Sequence, residues 1–395
     1  QAIYGFKDDR GEPLNEGAQQ FIVAVPVPLF NVAAAACFNQ VIDGNDTNPL
    51  AAQNNFRVAP VYWGLAAWIS AYSALNTAIS WPEAVLYNNR VKDVEVKAPL
   101  FILGHYRSGT THLHNLMAKD DRFAHPNFFH VNYPHTFLCA ERSFGRLFDL
   151  FIPHTRVMDN VALNFSTPYE DEWAMCVTTM QSPYMGWAFS HRQDHYDKYL
   201  TLRNLPPEEI ERWKQGLMLF LQKLTWKHKK SLILKSPTHT ARVKVLLEMF
   251  PDAKFVHIHR DPYAVFQSTK HLWARATPYL QLQRRSKGDN VVGRILKAYD
   301  EMYDAYFEQR DLIPKGNLHE LAYEDLEQDP LGEVQKAYNT LGLPDFSVVK
   351  PKFAEYLGTL KEYKKNSYKE MDPAEKKLVA ERWHRSFTEW GYPIA

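Results

Sequence analysis

Short apolar runs and helical patterns alternate along most of the chain. Apolar runs of four to six residues occur at 99–104, 231–234 and 254–259, with a weaker one at 318–322. Stretches in which apolar residues recur every three or four positions lie between them, at 110–117, 208–227 and 240–250. The runs predict buried strands, and the recurrence predicts amphipathic helices. Strands that alternate with helices predict a central parallel sheet with helices on both faces, which is a three-layer α/β/α fold.

The first part of the chain has a different pattern. Residues 21–42 and 58–82 contain no charged side chain, although prolines, asparagines and serines interrupt their apolar residues. Each stretch is long enough to span a bilayer, but these interruptions favour buried helices. A second interpretation is peripheral contact with a membrane through an apolar helical face within residues 21–82. We therefore predict a mostly helical N-terminal extension at 1–97 and an α/β domain at 98–395.

Charge and cysteine content narrow the functional classes. In this chain of 395 residues, 46 Lys and Arg residues are balanced by 45 Asp and Glu residues, which gives a formal charge of +1. This balance lacks the broad positive field with which nucleic-acid-binding proteins attract their partners. Three widely spaced cysteines form neither a CxxC pair nor a disulfide framework, and no secretory signal pattern opens the chain. We expect a cytoplasmic protein with a local basic site and no nucleic-acid partner.

The strongest chemical signal is the segment Gly-His-Tyr-Arg-Ser-Gly-Thr-Thr at residues 104–111, which follows a predicted strand and opens a predicted helix. Backbone N–H groups in such a turn, together with the positive end of the helix, can hold a phosphate group. The spacing of Gly104 and Gly109 matches the nucleotide-binding loop G-x-x-x-x-G-K-[ST], but Thr110 replaces the lysine. Arg107 is the cation of the segment instead. Kinases and NTPases need that lysine at the transferred phosphate, so the segment argues against both.

A second anion-binding pattern follows the third predicted strand. Arg260 comes directly after this strand, and Ser268 lies eight residues later, about two helical turns along the chain. Both side chains can contact one anion if the chain turns back between them, since a guanidinium and a hydroxyl are both hydrogen-bond donors. Ligands of parallel sheets bind at the carboxyl ends of the strands, and both patterns are located there.

Together, these two segments resemble those of the sulfotransferases that use 3'-phosphoadenosine 5'-phosphosulfate (PAPS), in the branch with an RSGTT motif and the Leu-Lys-Ser-Pro-Thr-His segment found here at 234–239. The resemblance implies a P-loop-like fold in which the first segment binds the phosphosulfate and the second binds the 3'-phosphate. It also implies that Tyr323, in Tyr-Glu-Asp-Leu, approaches the nucleotide. The implied cofactor-binding residues are Arg107, Ser108, Gly109, Thr110, Thr111, Arg260, Ser268 and Tyr323. The implied reaction moves a sulfonate group from PAPS to a hydroxyl or amine of a small acceptor, leaves PAP and uses no metal.

Sulfonate transfer needs cations at the leaving group and a base at the acceptor, because negative charge develops on the former and a proton leaves the latter. Arg107 is the candidate for the leaving oxygen, and Lys235 is the candidate for the sulfonate. His239 is the leading candidate for the base, because relatives carry a catalytic histidine near an equivalent lysine. Glu170, in an acidic run that also contains Glu172, is the alternative, since other branches of the family use glutamate. Both candidates for the base stay open at this stage.

Two other functions compete with this interpretation. One is a small-molecule kinase, which the missing lysine disfavours. The other is a nucleotide-binding scaffold without catalysis, which the full set of candidate residues disfavours. The histidines at 125, 130 and 135 match no standard spacing of metal ligands. A phenol, an alcohol and a sugar hydroxyl all remain candidate acceptors, and the uncharged N-terminal stretches favour an apolar one.

Overall fold

The computed structural model describes residues 20–21, 38–39, 60–148, 152, 155–156, 161–280, 288–360, 368 and 370–394. The uncharged stretch at 21–42 lies outside these ranges except at residues 21, 38 and 39. The stretch at 58–82 is described from residue 60 onwards. Within the described ranges, no helix is long and apolar enough to cross a bilayer.

Two β-sheets are present in the described residues. An antiparallel pair comprises β1 (Gln20–Phe21) and β2 (Phe38–Asn39). The central sheet comprises β3 (Leu100–Leu103), β4 (Phe123–Ala124), β5 (Ser231–Lys235), β6 (Lys254–His259) and β7 (Leu318–Ala322). Its strands lie in the order β4-β5-β3-β6-β7, and every neighbouring pair is parallel. All four predicted strands are confirmed, whereas β4 was missed because two residues make no readable apolar run.

Helices cover this sheet and connect its strands. They are α1 (Pro60–Val91), α2 (Thr110–Met117), α3 (Phe128–Asn132), α4 (Phe137–Phe148), α5 (Glu172–Thr178), α6 (Met185–Ala188), α7 (Gln193–Asp197), α8 (Pro207–His228), α9 (Val243–Met249), α10 (Pro262–Leu280), α11 (Val291–Gln309), α12 (Tyr323–Gln328), α13 (Pro330–Thr340), α14 (Phe346–Thr359), α15 (Pro373–Arg382) and α16 (His384–Trp390). Short 3-10 helices occur at Ser190–Arg192, Pro237–Ala241 and Arg310–Leu312.

Local sequence explains where two of these helices begin and end. Helix α8 matches the helix predicted at 208–227. Its first turn contains a proline and two glutamates, which favour a helix start, and the helix ends at Lys229, whose backbone is in the left-handed region. The helix predicted at 240–250 starts later than expected, at Val243. The preceding residues form a 3-10 turn, in which the Thr240 hydroxyl accepts a hydrogen bond from the N–H group of Gly104 at 2.7 Å.

Alternate residues of β3 face the two sides of the sheet, as the strand geometry requires. Phe101 and Leu103 belong to one buried apolar cluster, which also contains side chains of α5, α8 and α11. Leu100 and Ile102 belong to a second cluster, with side chains of α2, α13 and α14. Both faces of the sheet are therefore covered, and the predicted three-layer fold is confirmed.

Helix α1 is fastened to the α/β layers by a buried ion pair. Lys223 Nζ is 2.8 Å from Glu83 Oε1 and donates to the carbonyl oxygen of Pro134 at 3.1 Å. The other Glu83 oxygen accepts a hydrogen bond from the N–H group of Cys139 at 3.0 Å. Burial raises the pKa of Glu83, and the Lys223 ammonium opposes that change. The division of the chain at residue 97 stays a prediction, but this pair shows how α1 is held.

Replacement of Lys223 by methionine should strongly destabilise the protein. The Glu83 carboxylate would then be buried without a cation, and breaking a buried pair in this way costs about 3–5 kcal/mol of unfolding free energy. Urea denaturation followed by tryptophan fluorescence measures the change. The double variant Glu83→Leu/Lys223→Met should recover most of the loss, because it leaves no unpaired charge. A single-variant loss below about 1 kcal/mol would contradict the importance of this pair.

Candidate active site

The turn between β3 and α2 has a backbone conformation that favours glycine at two positions. Gly104 has a φ of 142° and Gly109 a φ of 97°. A Cβ atom on Gly109 would overlap the ring of Tyr323, and one on Gly104 would overlap the carbonyl oxygen of Ile258. Arg107, between the glycines, also has a positive φ of 69°. Turns of this kind direct backbone N–H groups into one concavity, here at the positive end of helix α2.

This turn borders a cleft of about 940 Å³, a volume that accommodates a nucleotide. The predicted cofactor residues that line the cleft are Arg107, Gly109, Thr110, Thr111, Arg260, Ser268 and Tyr323. Ser108 is buried in the turn, where its hydroxyl donates to the carbonyl oxygen of His105 at 2.7 Å. The fold thus brings together predicted residues from three distant parts of the sequence, at 107–111, at 260–268 and at Tyr323.

Direct contacts join the two anion-binding segments. Arg107 Nε donates to Ser268 Oγ at 2.9 Å, and Arg260 Nη1 donates to the carbonyl oxygen of Arg107 at 3.2 Å. The Arg260 guanidinium lies over the ring of Tyr323, 4.3 Å from its centroid. The Tyr368 hydroxyl is 3.0 Å from Ser268 Oγ. Two guanidinium groups, a hydroxyl and an aromatic ring therefore line one cleft, and this set of groups suits a phosphorylated nucleotide.

A buried ion pair lies beside the cleft, at the end of β5. Lys235 Nζ is 2.6 Å from Glu170 Oε1 and 3.4 Å from the hydroxyl of Thr111, which lines the cleft. Burial lowers the pKa of Lys235, and the Glu170 carboxylate opposes that change. The other oxygen of Glu170 accepts a hydrogen bond from the Tyr184 hydroxyl at 2.6 Å. The Glu170 side chain is 17% exposed and that of Lys235 is 2% exposed, so the carboxylate is the more accessible partner.

His239, the leading candidate for the base, lies elsewhere. Its side chain is 0% exposed, and its ring packs edge-on against Phe101 with centroids 5.3 Å apart. His239 Nε2 is 2.5 Å from Asp171 Oδ2, while Asp171 Oδ1 accepts a hydrogen bond from the Ser236 hydroxyl at 3.0 Å. Burial would raise the pKa of Asp171, but these partners lower it below its ordinary value. Lys235, the partner of Glu170, thus reaches the Thr111 hydroxyl of the cleft, whereas the side chain of His239 is fully buried.

Sequence reasoning missed the partners that hold the acidic run at 170–172. Glu172 receives two hydrogen bonds from the Arg242 guanidinium, at 2.6 and 3.0 Å, and a third from the Thr238 hydroxyl at 2.8 Å. Tyr184 holds Glu170, as described above. Glu172 and Arg242 are 70 positions apart in the sequence. The sequence shows acidic residues at 170–172 and basic residues at 235–242, but it does not show which acidic residue pairs with which basic one.

The histidines near residue 130 form local contacts. His130 Nδ1 accepts a hydrogen bond from the N–H group of Asn127, and its Nε2 is 3.0 Å from Glu141. The Asn127 side chain in turn accepts a hydrogen bond from the N–H group of His130 at 2.8 Å, and these two reciprocal bonds cap helix α3. Across the ranges that the structure describes, no group of three or more His, Cys, Asp or Glu side chains is arranged to hold a metal ion.

Comparison with known proteins adds independent information. The family model described as "Sulfotransferase family" matches residues 99–347, which is more than half of the chain. An omega-hydroxy-beta-dihydromenaquinone-9 sulfotransferase, Stf3, is known from Mycobacterium bovis and Mycobacterium tuberculosis. It is 36% identical over 341 residues, in a match that covers 86% of this chain and 87% of the relative.

Two solved structures share the fold at low sequence identity. Sulfotransferase STF9 from Mycobacterium avium superposes with a TM-score of 0.64 and 16% identity, covering 93% of this chain and 97% of its own. Sulfotransferase STF1 from Mycobacterium tuberculosis H37Rv superposes with a TM-score of 0.53 and 18% identity, covering 90% and 91%. These similarities support the three-layer architecture described above.

Replacement of Gly109 by alanine should destabilise the turn by about 1–3 kcal/mol, because alanine rarely adopts this φ and its Cβ would displace Tyr323. Gly358 is the matched control. It lies in helix α14, and its Cβ position has no neighbour within 4 Å, so Gly358→Ala should keep or raise stability by up to about 1 kcal/mol. Urea denaturation of both variants measures the difference, and equal stability of the two would contradict a strained turn.

Proposed function

The chain belongs to the sulfotransferase family, and from that premise we propose that it transfers the sulfonate group of PAPS to a hydroxyl group of an apolar, lipid-like acceptor. The observation that carries the proposal is the convergence of Arg107, Ser268 and Arg260 on one cleft beside the Lys235–Glu170 pair. This arrangement offers anion-binding groups and a carboxylate at neighbouring positions, which are the two requirements of sulfonate transfer.

The residues of the cleft fit the nucleotide. The glycine turn at 104–109 would hold the phosphosulfate through backbone N–H groups, and Arg260 and Ser268 would hold the 3'-phosphate. Tyr323 offers an aromatic face beside Arg260. When bound, PAPS supplies an activated sulfonate whose leaving group is PAP. In our proposal, Arg107 stabilises the charge that develops on the leaving oxygen, and Lys235 stabilises the sulfonate oxygens.

We propose Glu170 as the general base. Its carboxylate is partly exposed and lies 2.6 Å from the Lys235 ammonium, which is itself 3.4 Å from the Thr111 hydroxyl of the cleft. The Tyr184 hydroxyl fixes its orientation from the other side. A base must come within hydrogen-bond distance of the proton that it removes. In our proposal the partly exposed Glu170 carboxylate comes within this distance of the bound acceptor, and the full burial of His239 argues against that residue as the base.

Aromatic side chains next to Glu170 support an apolar acceptor. The Tyr184 ring stacks on Trp187, with centroids 4.5 Å apart and planes 12° from parallel. Trp187 also contacts Tyr106 and Trp273, at centroid distances of 5.8 and 6.2 Å. Apolar rings with one convergent polar group are typical of sites for apolar ligands. The name of the mycobacterial relative describes a menaquinone derivative with an omega-hydroxyl group, and we extend that acceptor class to this chain.

The outer surface of α1 supports contact with a membrane. We define its apolar stripe as Trp81, Val85 and Leu86, whose exposed fractions are 75%, 68% and 51%. The one acidic residue of the helix, Glu83, points inward to Lys223, and Arg90 in the last turn is the other charge of the helix. A helix that buries its carboxylate and exposes a tryptophan suits a membrane surface, where basic residues meet anionic head groups. A lipid-like acceptor would be taken from the same surface.

Isothermal calorimetry with PAP tests the cofactor. We expect metal-independent binding of PAP that exceeds the binding of ADP with magnesium, and a loss of about tenfold or more in Arg260→Ala, because a charge-assisted contact is worth about 1.5–3 kcal/mol. Arg203→Ala is the matched control, since Arg203 pairs with Glu308 at the surface. Preference for ADP with magnesium would favour a kinase and contradict the proposal.

A transfer assay with PAPS completes this test. We expect sulfonate to appear on a polyprenyl alcohol at a higher kcat/KM than on a water-soluble phenol or a sugar. PAP binding without transfer to any acceptor would instead favour a scaffold that has lost catalysis.

Flotation with phosphatidylcholine–phosphatidylglycerol vesicles tests the membrane surface. The full chain should float with the vesicles, and Trp81→Gln/Leu86→Gln should bind at least about tenfold more weakly, because burying two large apolar side chains is worth roughly 3–6 kcal/mol. Val348→Gln is the matched control, because Val348 is an equally exposed apolar residue on α14. All variants should retain PAP binding. Wild-type flotation by the double variant would refute this contact. A dimer of the chain in solution that the same double substitution dissociates would also refute it, because the stripe would then lie between two copies.

A further inference from the structure

The Glu170–Lys235 pair lies where two chain segments meet, and each segment continues directly into a buried polar network. Residues 170–172 lead into the first turn of helix α5, and residues 236–242 follow Lys235, the last position of β5. The 2.6 Å separation between the Glu170 carboxylate and the Lys235 ammonium therefore depends on how these segments are joined.

Asp171 makes the central connection between the two segments. One of its oxygens accepts from the Ser236 hydroxyl at 3.0 Å, and the other is 2.5 Å from His239 Nε2. The Ser236 hydroxyl in turn accepts from the N–H group of Glu172 at 3.0 Å. Asp171, Ser236 and His239 are all 0% exposed. Each neighbour of the reactive pair, Asp171 beside Glu170 and Ser236 beside Lys235, is thus fixed by a bond to the other segment.

The chemistry of His239 fits a partner of Asp171. A buried carboxylate without a donor or cation is very costly, and Nε2–H of the imidazole supplies that donor. Among the described residues, His239 Nδ1 has no hydrogen-bond partner, and the ring is next to Phe101 and Trp213, at centroid distances of 5.3 and 6.5 Å. Of the two ring nitrogens of His239, only Nε2 therefore makes a hydrogen bond among the described residues, and its partner is Asp171.

We infer that His239 and Asp171 are positioning residues, which hold the Glu170 carboxylate in the place, 2.6 Å from the Lys235 ammonium, from which it acts as the base. The inference rests on the proposed function, in which Glu170 is the base. The groups that face this carboxylate directly are the ammonium of Lys235 and the hydroxyl of Tyr184. The hydrogen bonds between Arg242 and Glu172 are a second connection between the same two segments. This connection keeps the segments joined when His239 is replaced.

Steady-state kinetics of three variants test the inference. His239→Leu should lower kcat by about 10–100-fold, because a displacement of about 1 Å at a catalytic group costs up to 100-fold. The KM for the acceptor and the dissociation constant of PAP should stay within about twofold, since the His239 side chain is fully buried and is not among the residues that line the cleft. His239→Gln, which keeps a donor near the Nε2 position, should restore most of the lost kcat. Glu170→Gln should lose transfer activity in spite of normal PAP binding.

The pH profile separates a positioning histidine from a catalytic one. In His239→Gln the acidic limb of kcat/KM should stay where it is in the wild type, because the proposed base is unchanged, whereas Glu170→Gln, which lacks that base, should lose the limb. Loss of the limb in His239→Gln, with the limb retained in Glu170→Gln, would make His239 the base and overturn the inference. Wild-type kcat in His239→Leu would overturn it too.

The test remains decisive even if one of the variants does not fold. If His239→Leu fails to fold, His239→Gln and Asp171→Asn replace it, because both nearly preserve side-chain volume. Asp171→Asn should lower kcat with PAP binding unchanged, and wild-type kcat in both variants would overturn the inference. Failure of the proposed function is a different result, because the wild-type protein would then neither bind PAP nor transfer sulfonate to any acceptor.

Discussion

Buried charge at the end of β5 constrains how the rest of the molecule is arranged. Asp171, Glu172 and Arg242 are all 0% exposed, and a charge buried without its partner costs several kcal/mol. Each of these groups must therefore meet its partner in the folded state, which fixes the segment before α5 against the 3-10 turn after β5. Because β5 is paired with β3, the same constraint places Glu170 near the turn that contains Gly109.

The central position of β3 explains why the cations of the site converge. Phe101 is in register with Leu234 of β5 on one side and with Phe255 of β6 on the other. The three strands end at one edge of the sheet, so Arg107, Lys235 and Arg260 follow or end adjacent strands. These three cations form a local basic site. A local site was expected, because the formal charge of the whole chain is only +1.

Much of this arrangement could be predicted from sequence, because it depends on short-range patterns. The central strands, apart from the two-residue β4, are apolar runs, and the anion-binding turn has glycines at fixed positions. Proximity of Arg107 and Ser268 followed from the rule for strand ends, although their separation of 161 positions hides the hydrogen bond itself. The sequence left the choice between Glu170 and His239 open, because it does not show that the side chain of His239 is fully buried and that of Glu170 is partly exposed. Burial results from packing that involves Phe101, Trp213 and Asp171, which are distant from His239 in sequence.

The hydrogen bonds of Ser268 have a further consequence for exchange of ligands. Its hydroxyl has one proton to donate and two lone pairs, and it already accepts from Arg107 and contacts the Tyr368 hydroxyl. When no anion is present, Ser268 can donate its proton to Tyr368. When Ser268 instead donates its hydrogen bond to an anion, the Tyr368 hydroxyl can donate to Ser268. The Ser268–Tyr368 hydrogen bond then reverses its direction and is not lost. The hydrogen bonds of Ser268 can therefore adapt to the presence or absence of an anion by rotation of two hydroxyl groups, a motion far faster than the opening of a loop.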